Sequence, residues 1–331
     1  MRSRLLGGLA PRTFLRRHWQ KRPLFVRAAL PDFRGVIADR ALCALAARDD
    51  VESRIVERGR TLHGPFRDVS SKRKNWTILV SGVNLHVPAA DELLRRFQFI
   101  PQARLDDVMV SYATRGGGVG PHVDSYDVFL LQGPGRRRWR VGRREYVAEP
   151  GDLLYVPPGV RHDGVALEAC QTYSIGFRAP RGAELGAAFL DWLHERGLPD
   201  ALYRDPGLKP TARPGRIPAG MVDFAFRTFK RITWSKMDLV DFLGRYLTTP
   251  KPHVVFRKSS SKGARVRLDG KTQLLYAGER FFINGEALHA KGRRAGVLRK
   301  LADERALLAA GPLASLISGW QKLGWLHLER P

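Results

Sequence analysis

The stretch from Gly116 to His162 constrains this chain more than any other. It opens GGGVGPHVDSYDVF and closes PGDLLYVPPGVRHDG, so histidines and an aspartate stand beside strand-like runs that break at glycine and proline. Side chains of an extended segment leave on alternate faces, and His122 and Asp124, two residues apart, therefore project to the same side. His162 follows the apolar run Leu153 to Val156 and the breaker Pro157-Pro158-Gly159. Two imidazoles and one carboxylate converging on a point form the facial triad of a non-haem Fe(II) centre, with positions left open for reactants. The plainer reading makes the Pro/Gly turn only a turn and His162 a loop residue facing water. It gives no role to the second histidine, the aspartate or the run Gly116 to Gly118.

The spacing of Gly151, Pro157, Gly159 and His162 is that of the second half of a cupin signature, where a tight turn stops a strand and aims the next histidine into a barrel. Other segments agree with a barrel of short strands: Leu24 to Arg27, Trp76 to Val80, Val108 to Tyr112 and Cys170 to Phe177. Helices are expected at Thr13 to Gln20, near Asp39 to Ala47, and at Ala89 to Phe97, with a basic loop at Ser70 to Asn75. The expected catalytic domain spans 1–180. A helical linker segment, 181–250, follows, with helices at Glu184 to Arg196, Met221 to Ile232 and Ser235 to Leu247, the last opened by a Ser235/Asp238 capping box. Its aromatic residues Phe224, Phe226, Phe229 and Trp234 are a large apolar load for one helix pair, suited to an intramolecular or dimer contact. Residues 251–331 begin with a basic, serine-rich loop, Arg257 to Arg267. Three short strands follow, broken at the hairpin-type signals Asp269-Gly270, Ala277-Gly278 and Asn284-Gly285, then helices at Gly296 to Leu308 and Pro312 to Leu323 and a last strand at Trp325 to Leu328, together a winged-helix-like module.

Arg137 is the next candidate. In RRRWRV, a period of two puts Arg136, Arg138 and Arg140 on one face and Arg137, Trp139 and Val141 on the other. An inward guanidinium needs an anion, and its planar fork suits a carboxylate. That anion is either a protein carboxylate, such as Glu145 or Asp152, or, beside a facial triad, the far carboxylate of 2-oxoglutarate.

The balance of 57 Lys+Arg against 32 Asp+Glu, a net +25, favours polyanions such as RNA; a GC-rich coding bias that fills solvated surfaces with arginine is the alternative. The isolated cysteines Cys43 and Cys170 form no metal knuckle or redox pair, and no apolar run reaches membrane-spanning length, so a cytoplasmic protein with no membrane partner is expected.

Arg12 to Pro23, Leu79 to Asp107, and above all Gly116 to Gly142 with Pro150 to Pro180, resemble the bacterial ribosomal oxygenases. These are a branch of the JmjC-type 2-oxoglutarate oxygenases that hydroxylate an arginine side chain in a protein of the large ribosomal subunit. The pattern GGGVGPH-x-D-x-YDVF-x-x-Q-x-x-GRRRWRVG carries the resemblance, which covers most of residues 10–180. It implies a mostly β catalytic domain, a double-stranded β-helix of the JmjC/cupin type, with Fe(II) held by His122, Asp124 and His162. It further implies 2-oxoglutarate gripped by Arg137 and touched by Ser111, O2 as co-substrate, an α-helical segment that makes a homodimer, and a small α+β winged helix at the C-terminus. The connection Arg143 to Ala148 is shorter than the family pattern, which bears on substrate choice. A basic enzyme acting on a basic ribosomal protein also needs local acidity at the barrel mouth, for which Asp106, Asp107, Asp127 and Asp163 are the candidates. The rival readings are a cupin oxygenase acting on another protein or a small molecule, and a non-enzymatic ribosome or nucleic-acid-binding factor that meets rRNA through its basic surface.

Overall fold

The computed structural model describes residues 4–69, 74–258, 260, 262–308 and 311–330. In chain order the N-terminal part contains α1 (Pro11–Arg17), β1 (Leu24–Val26), α2 (Asp39–Ala46), β2 (Ser53–Glu57), β3 (Arg60–His63), β4 (Trp76–Val80) and α3 (Pro88–Arg95). There follow β5 (Leu105–Ala113), β6 (Val128–Gln132), β7 (Arg137–Val141), β8 (Arg144–Ala148), β9 (Leu153–Val156), β10 (His162–Ala166) and β11 (Cys170–Phe177). An eight-stranded sheet of order β1-β9-β6-β11-β5-β4-β2-β3 faces a three-stranded sheet of order β10-β7-β8. All pairings are antiparallel. The architecture is the expected double-stranded β-helix.

Period-two alternation decides what each strand of the large sheet does. On β4, β5, β6 and β11 one set of side chains, including Ile78, Val110, Phe129 and Ile175, points to a layer formed by the N-terminal helices and Phe97. The opposite set faces the small sheet. Toward one end of that interior Val128, Leu130, Trp139, Val141, Leu154 and Val156 pack together, and the remaining space is an open cavity.

The sequence reading missed the β2–β3 hairpin, whose strand β3 is exposed at all four residues and so carries no apolar alternation. The short connection after Gly142 is itself a strand, β8, at the edge of the small sheet, where it pairs with β7 from Arg137↔Ala148 to Val141↔Arg144. In the expected basic loop at Ser70 to Asn75, residues 70–73 lie outside the described residues.

Beyond the barrel come α4 (Gly182–Glu195), α5 (Ala219–Phe229) and α6 (Lys236–Thr248), with the expected capping box of Ser235 and Asp238 in place. Phe189 and Trp192 of α4 pack on Phe242 of α6. The C-terminal part has β12 (Arg265–Leu268), β13 (Leu274–Ala277), β14 (Arg280–Ile283), β15 (Glu286–His289), α7 (Gly292–Glu304), β16 (Ala306–Leu308), α8 (Ala314–Lys322) and β17 (Leu326–Glu329) around its own core. The three turn signals separate four strands where three were expected, and Asp269-Gly270 joins two different sheets instead of closing a hairpin. The helix expected to reach Leu308 stops at Glu304, because Arg305 turns left-handed (φ 60°) and the apolar Ala306 to Leu308 pairs with β12 instead. Among the described residues no helix is long and apolar enough to cross a membrane.

Candidate metal centre and cavity

Glycines let the backbone reach the centre. A Cβ on Gly118 would stand 2.4 Å from the Gly164 carbonyl oxygen, and one on Gly164 would stand 2.5 Å from the Trp139 ring. Through these close approaches the glycine run lies against β10, and the chain then bridges to it: His122 and His162 exchange both backbone hydrogen bonds, at 3.0 and 2.9 Å. The Gly159 N–H donates to the Asp124 carbonyl at 2.9 Å, so the Pro/Gly turn and the His-x-Asp segment hold each other. His122 and Asp124 belong to this extended, singly bridged segment and not to a regular strand.

The result is convergence. One donor atom each from His122, Asp124 and His162 fall within 4.8 Å of one another, and His162 Nε2 is 3.6 Å from Asp124 Oδ2. Each histidine places Nδ1 against a backbone carbonyl, His122 on Gly120 at 2.9 Å and His162 on Val160 at 3.1 Å. A carbonyl only accepts, so Nδ1 carries the proton and Nε2 keeps its lone pair for a ligand. Burial lowers the His162 pKa, which keeps that imidazole neutral. A His₂/carboxylate donor set with open positions fits Fe(II).

The centre opens on a cavity of about 490 Å³, within the usual range for small-ligand sites. Arg137 is 4% exposed, lines this cavity, and stands 5.7 Å from the centroid of the Trp139 ring. Among the described residues its Nε and Nη2 have no hydrogen-bond partner. Neither protein carboxylate considered for it is free to help: Asp152 accepts from Arg27 and the Ala28 and Glu149 N–H groups, and Glu145 lies by Arg140. Nearby on the cavity wall, the buried Thr77 hydroxyl is also without a partner, and the Ser111 hydroxyl has only a long contact, 3.4 Å, to the Thr172 carbonyl. Buried donors left unpaired call for an acceptor from outside the chain, and a carboxylate ligand fits them.

The other end of the cavity is acidic. Asp106, Asp107 and Glu52 line it with Tyr126 and Lys251. Asp107 accepts from the Gly82 N–H at 2.7 Å, yet burial, reinforced by Asp106, pushes its pKa up to about 6. Asp106 is shared between Arg178 at 3.5 Å and Lys251 at 3.4 Å. Burial, with Asp124 near, pushes the Tyr126 phenol up to about 12, so it stays protonated.

Two of the expected mouth acids lie elsewhere. Tyr126 faces the cavity, so the next residue, Asp127, faces the helical layer. There it is fully buried, accepting from the Tyr155 hydroxyl at 2.5 Å and Gln20 Nε2 at 3.1 Å, and it ties α1 to the sheet. Asp163 follows the inward His162 and therefore points outward, opposite Arg140 on β7. Sequence reasoning missed Thr77, Glu52, Tyr126 and Lys251. Thr77 sits on a strand buried at every residue, which has no polar alternation to betray a functional face, and Lys251 arrives from the segment after α6.

Two known families match parts of the chain. Residues 92–149 and 143–185 match the JmjC domain family, and residues 231–326 match the ROXA-like winged helix. The chain is 34% identical over 337 residues to the ribosomal protein uL16 3-hydroxylase of Escherichia coli, covering 89% of each. It is 36% identical over 208 residues to the probable ribosomal oxygenase of Haemophilus influenzae, 54% of this chain and 52% of that one. The solved structure of the Escherichia coli ribosomal oxygenase YcfD with cobalt and 2-oxoglutarate superposes with a TM-score of 0.79 at 31% identity, covering 96% of this chain and 98% of that one. Another structure of the Escherichia coli protein gives 0.82 at 30% identity over 97% and 98%.

Proposed function

Because this chain belongs to the bacterial ribosomal oxygenases, JmjC-type dioxygenases that depend on Fe(II) and 2-oxoglutarate, we propose that it hydroxylates an arginine side chain of a large-subunit ribosomal protein. The Escherichia coli relative is named for uL16, which makes uL16 the first substrate to try. The observation that carries the reading is the polarity of the cavity. Arg137 and Thr77, buried donors unpartnered among the described residues, lie on one side with the weakly bonded Ser111 hydroxyl, and the carboxylates Glu52, Asp106 and Asp107 on the other. Along β5 the step from Ser111 to Asp107 is four residues, about 13 Å of strand. One end suits the far carboxylate of 2-oxoglutarate; the other suits a guanidinium.

His122, Asp124 and His162 would hold the iron, which with 2-oxoglutarate and O2 would supply the oxidising chemistry for C–H hydroxylation, 2-oxoglutarate being converted to succinate and CO2. The protein's own part is orientation. The carbonyls of Gly120 and Val160 fix both imidazoles in the Nδ1–H tautomer. Arg137 supplies a planar fork for a carboxylate, with the Thr77 and Ser111 hydroxyls beside it. Asp107 receives the substrate guanidinium, helped by the neutral Tyr126 hydroxyl, while Lys251 and Arg178 occupy Asp106 and leave Asp107 as the free acceptor. Trp139 and Leu130 give the space between an apolar wall.

The reading extends to partners. Met221, Val222, Phe226 and Phe229 of α5 are exposed and no residue of that helix is buried, a face suited to a second copy of the chain. Exposed cations on and after α1 (Arg12, Arg16, Arg17, Lys21 and Arg22) suit rRNA phosphates on the way to a ribosomal substrate in the cytoplasm. The test is incubation of the Fe(II)-loaded protein with 2-oxoglutarate, O2 and overlapping uL16 peptides that each contain an arginine. The reading requires one peptide to gain the mass of one oxygen atom on its arginine. Gain on another residue type, or on no peptide while 2-oxoglutarate is consumed, would send the substrate assignment elsewhere.

A further inference from the structure

We propose that the free edge of β3 docks an extended segment of the polypeptide substrate as an added strand; this rests on the reading above of an arginine-bearing ribosomal substrate. The hairpin's register decides which backbone groups are available. Arg58 and Gly59 both have positive φ, 50° and 75°, the two-residue turn that closes a hairpin on the pair Glu57↔Arg60. Every second pair is hydrogen-bonded in an antiparallel ladder, and the Gly64 N–H donates to the Ser53 carbonyl at 2.9 Å, which fixes the phase. Arg60, Leu62 and Gly64 thus turn their backbone groups toward β2. Thr61 and His63 turn theirs to the outer edge. All four residues of β3 are exposed, and among the described residues nothing bonds to the outward N–H and carbonyl groups of Thr61 and His63.

This edge borders the cavity. The Thr61 side chain lines it, directly across from Val56, with Arg54 and Glu52 further along the same face of β2. A strand added beyond β3, about 4.8 Å away, would continue the sheet and present alternate side chains to the cavity. A basic side chain on that face would approach Glu52 at the rim of the cavity, and the peptide leaving this edge would lead toward Asp106 and Asp107 on β5. Arg60 and Leu62 point to the opposite face, so the arginine does not oppose it. A second copy of the chain is the poorer occupant: antiparallel self-pairing at this edge would bring Arg58, Arg60 and His63 of one copy beside those of the other, and like charges across a strand pair are unfavourable.

The test uses the full-length wild-type protein and the uL16 peptide that it hydroxylates fastest. Single backbone N-methyl groups are placed in turn at each residue flanking the modified arginine. Docking as a strand gives sensitivity at alternate residues on one side of the arginine, each sensitive position raising KM about tenfold for one lost hydrogen bond. Thr61→Pro, which deletes one outward N–H while leaving the β2 pairing untouched, should raise KM by a similar factor over Thr61→Val, which loses the hydroxyl but keeps the N–H. Tolerance of N-methylation at every position, equal KM in the two variants, or concentration-dependent self-association that Thr61→Pro abolishes would each overturn the proposal. If the wild type hydroxylates no uL16 peptide, the substrate reading fails and takes this docking with it; hydroxylation without alternation sinks the docking alone.

Discussion

Arg137→Ala removes a guanidinium that is 4% exposed and whose Nε and Nη2 find no acceptor among the described residues. If its partner is the far carboxylate of 2-oxoglutarate, the substitution leaves that carboxylate in a buried site without its counter-charge, a loss of about 3–5 kcal/mol. At about 1.4 kcal/mol per decade, 2-oxoglutarate binding should weaken by roughly two to three and a half orders of magnitude. The cavity reaches solvent, so the lower half of that range is expected. Arg137→Lys keeps a positive charge but not the planar fork, and should fall between wild type and alanine. Because Arg137 Nε and Nη2 have no hydrogen-bond partner among the described residues, the ligand-free alanine variant should melt close to wild type. The stabilisation that saturating 2-oxoglutarate gives the wild type, about 2.7 kcal/mol at a hundredfold excess over Kd, should vanish. Calorimetric titration of 2-oxoglutarate into Mn(II)-loaded protein without oxygen, with melting curves in parallel, reads both quantities. The reasoning is refuted if Arg137→Ala binds 2-oxoglutarate within a few-fold of wild type, or if metal affinity falls in step with it.

Four further outcomes follow from the same geometry. His122→Ala and Asp124→Ala should each abolish succinate formation while retaining the fold by circular dichroism; substantial turnover in either would displace the metal assignment. Asp107 is held at about 6, and its charged form is the one that attracts a guanidinium, so kcat/KM for an arginine peptide should rise with pH through about 6 and then level. Asp107→Asn should raise KM for the peptide and flatten that rise, and an unchanged profile would remove Asp107 from substrate binding. The sign for stability is opposite: a carboxyl whose folded pKa lies above its unfolded value disfavours folding once pH passes the unfolded value, fully so above about 6, and Asp107→Asn should therefore stabilise the ligand-free protein at neutral pH. Gly164→Ala would drive a Cβ into the Trp139 ring, 2.5 Å away, and should cost about 1–3 kcal/mol in denaturant unfolding; a loss near zero would mean the ring moves freely.

The parts of the site that the sequence made legible are those governed by local rules. His122, Asp124, His162 and Arg137 could be placed because strand alternation and a Pro/Gly turn decide where each side chain points, and each lies in one continuous stretch. The inward face of RRRWRV reads directly from its charges, and β7 shows the same alternation of buried and exposed residues. The mouth was less legible for the same physical reason in reverse. Asp127 and Asp163 stand one residue from an inward side chain, and that single step sends each to the other face. Thr77 belongs to a strand covered on both sides, where a polar residue gives no periodic signal. Lys251 reaches Asp106 only because the chain after α6 folds back on the barrel, as the Arg178 hydrogen bond to the Leu247 carbonyl at 2.7 Å also shows. In the C-terminal part the hairpin turns were legible from Ala277-Gly278 and Asn284-Gly285, whereas Asp269-Gly270 joins strands of two different sheets and the end of α7 depended on β16 finding β12.

The central claim is that one site couples 2-oxoglutarate oxidation to oxygen insertion into an arginine of a ribosomal protein. The most direct test is a reaction of Fe(II)-loaded protein with 2-oxoglutarate and uL16 under isotopically heavy O2, followed by mass spectrometry of succinate and of the protein substrate. The account predicts one labelled oxygen in succinate and one on a uL16 arginine, in equal amounts, with both lost in His122→Ala. Labelled succinate with unmodified uL16, or a uL16 product whose added oxygen comes from water, would contradict it.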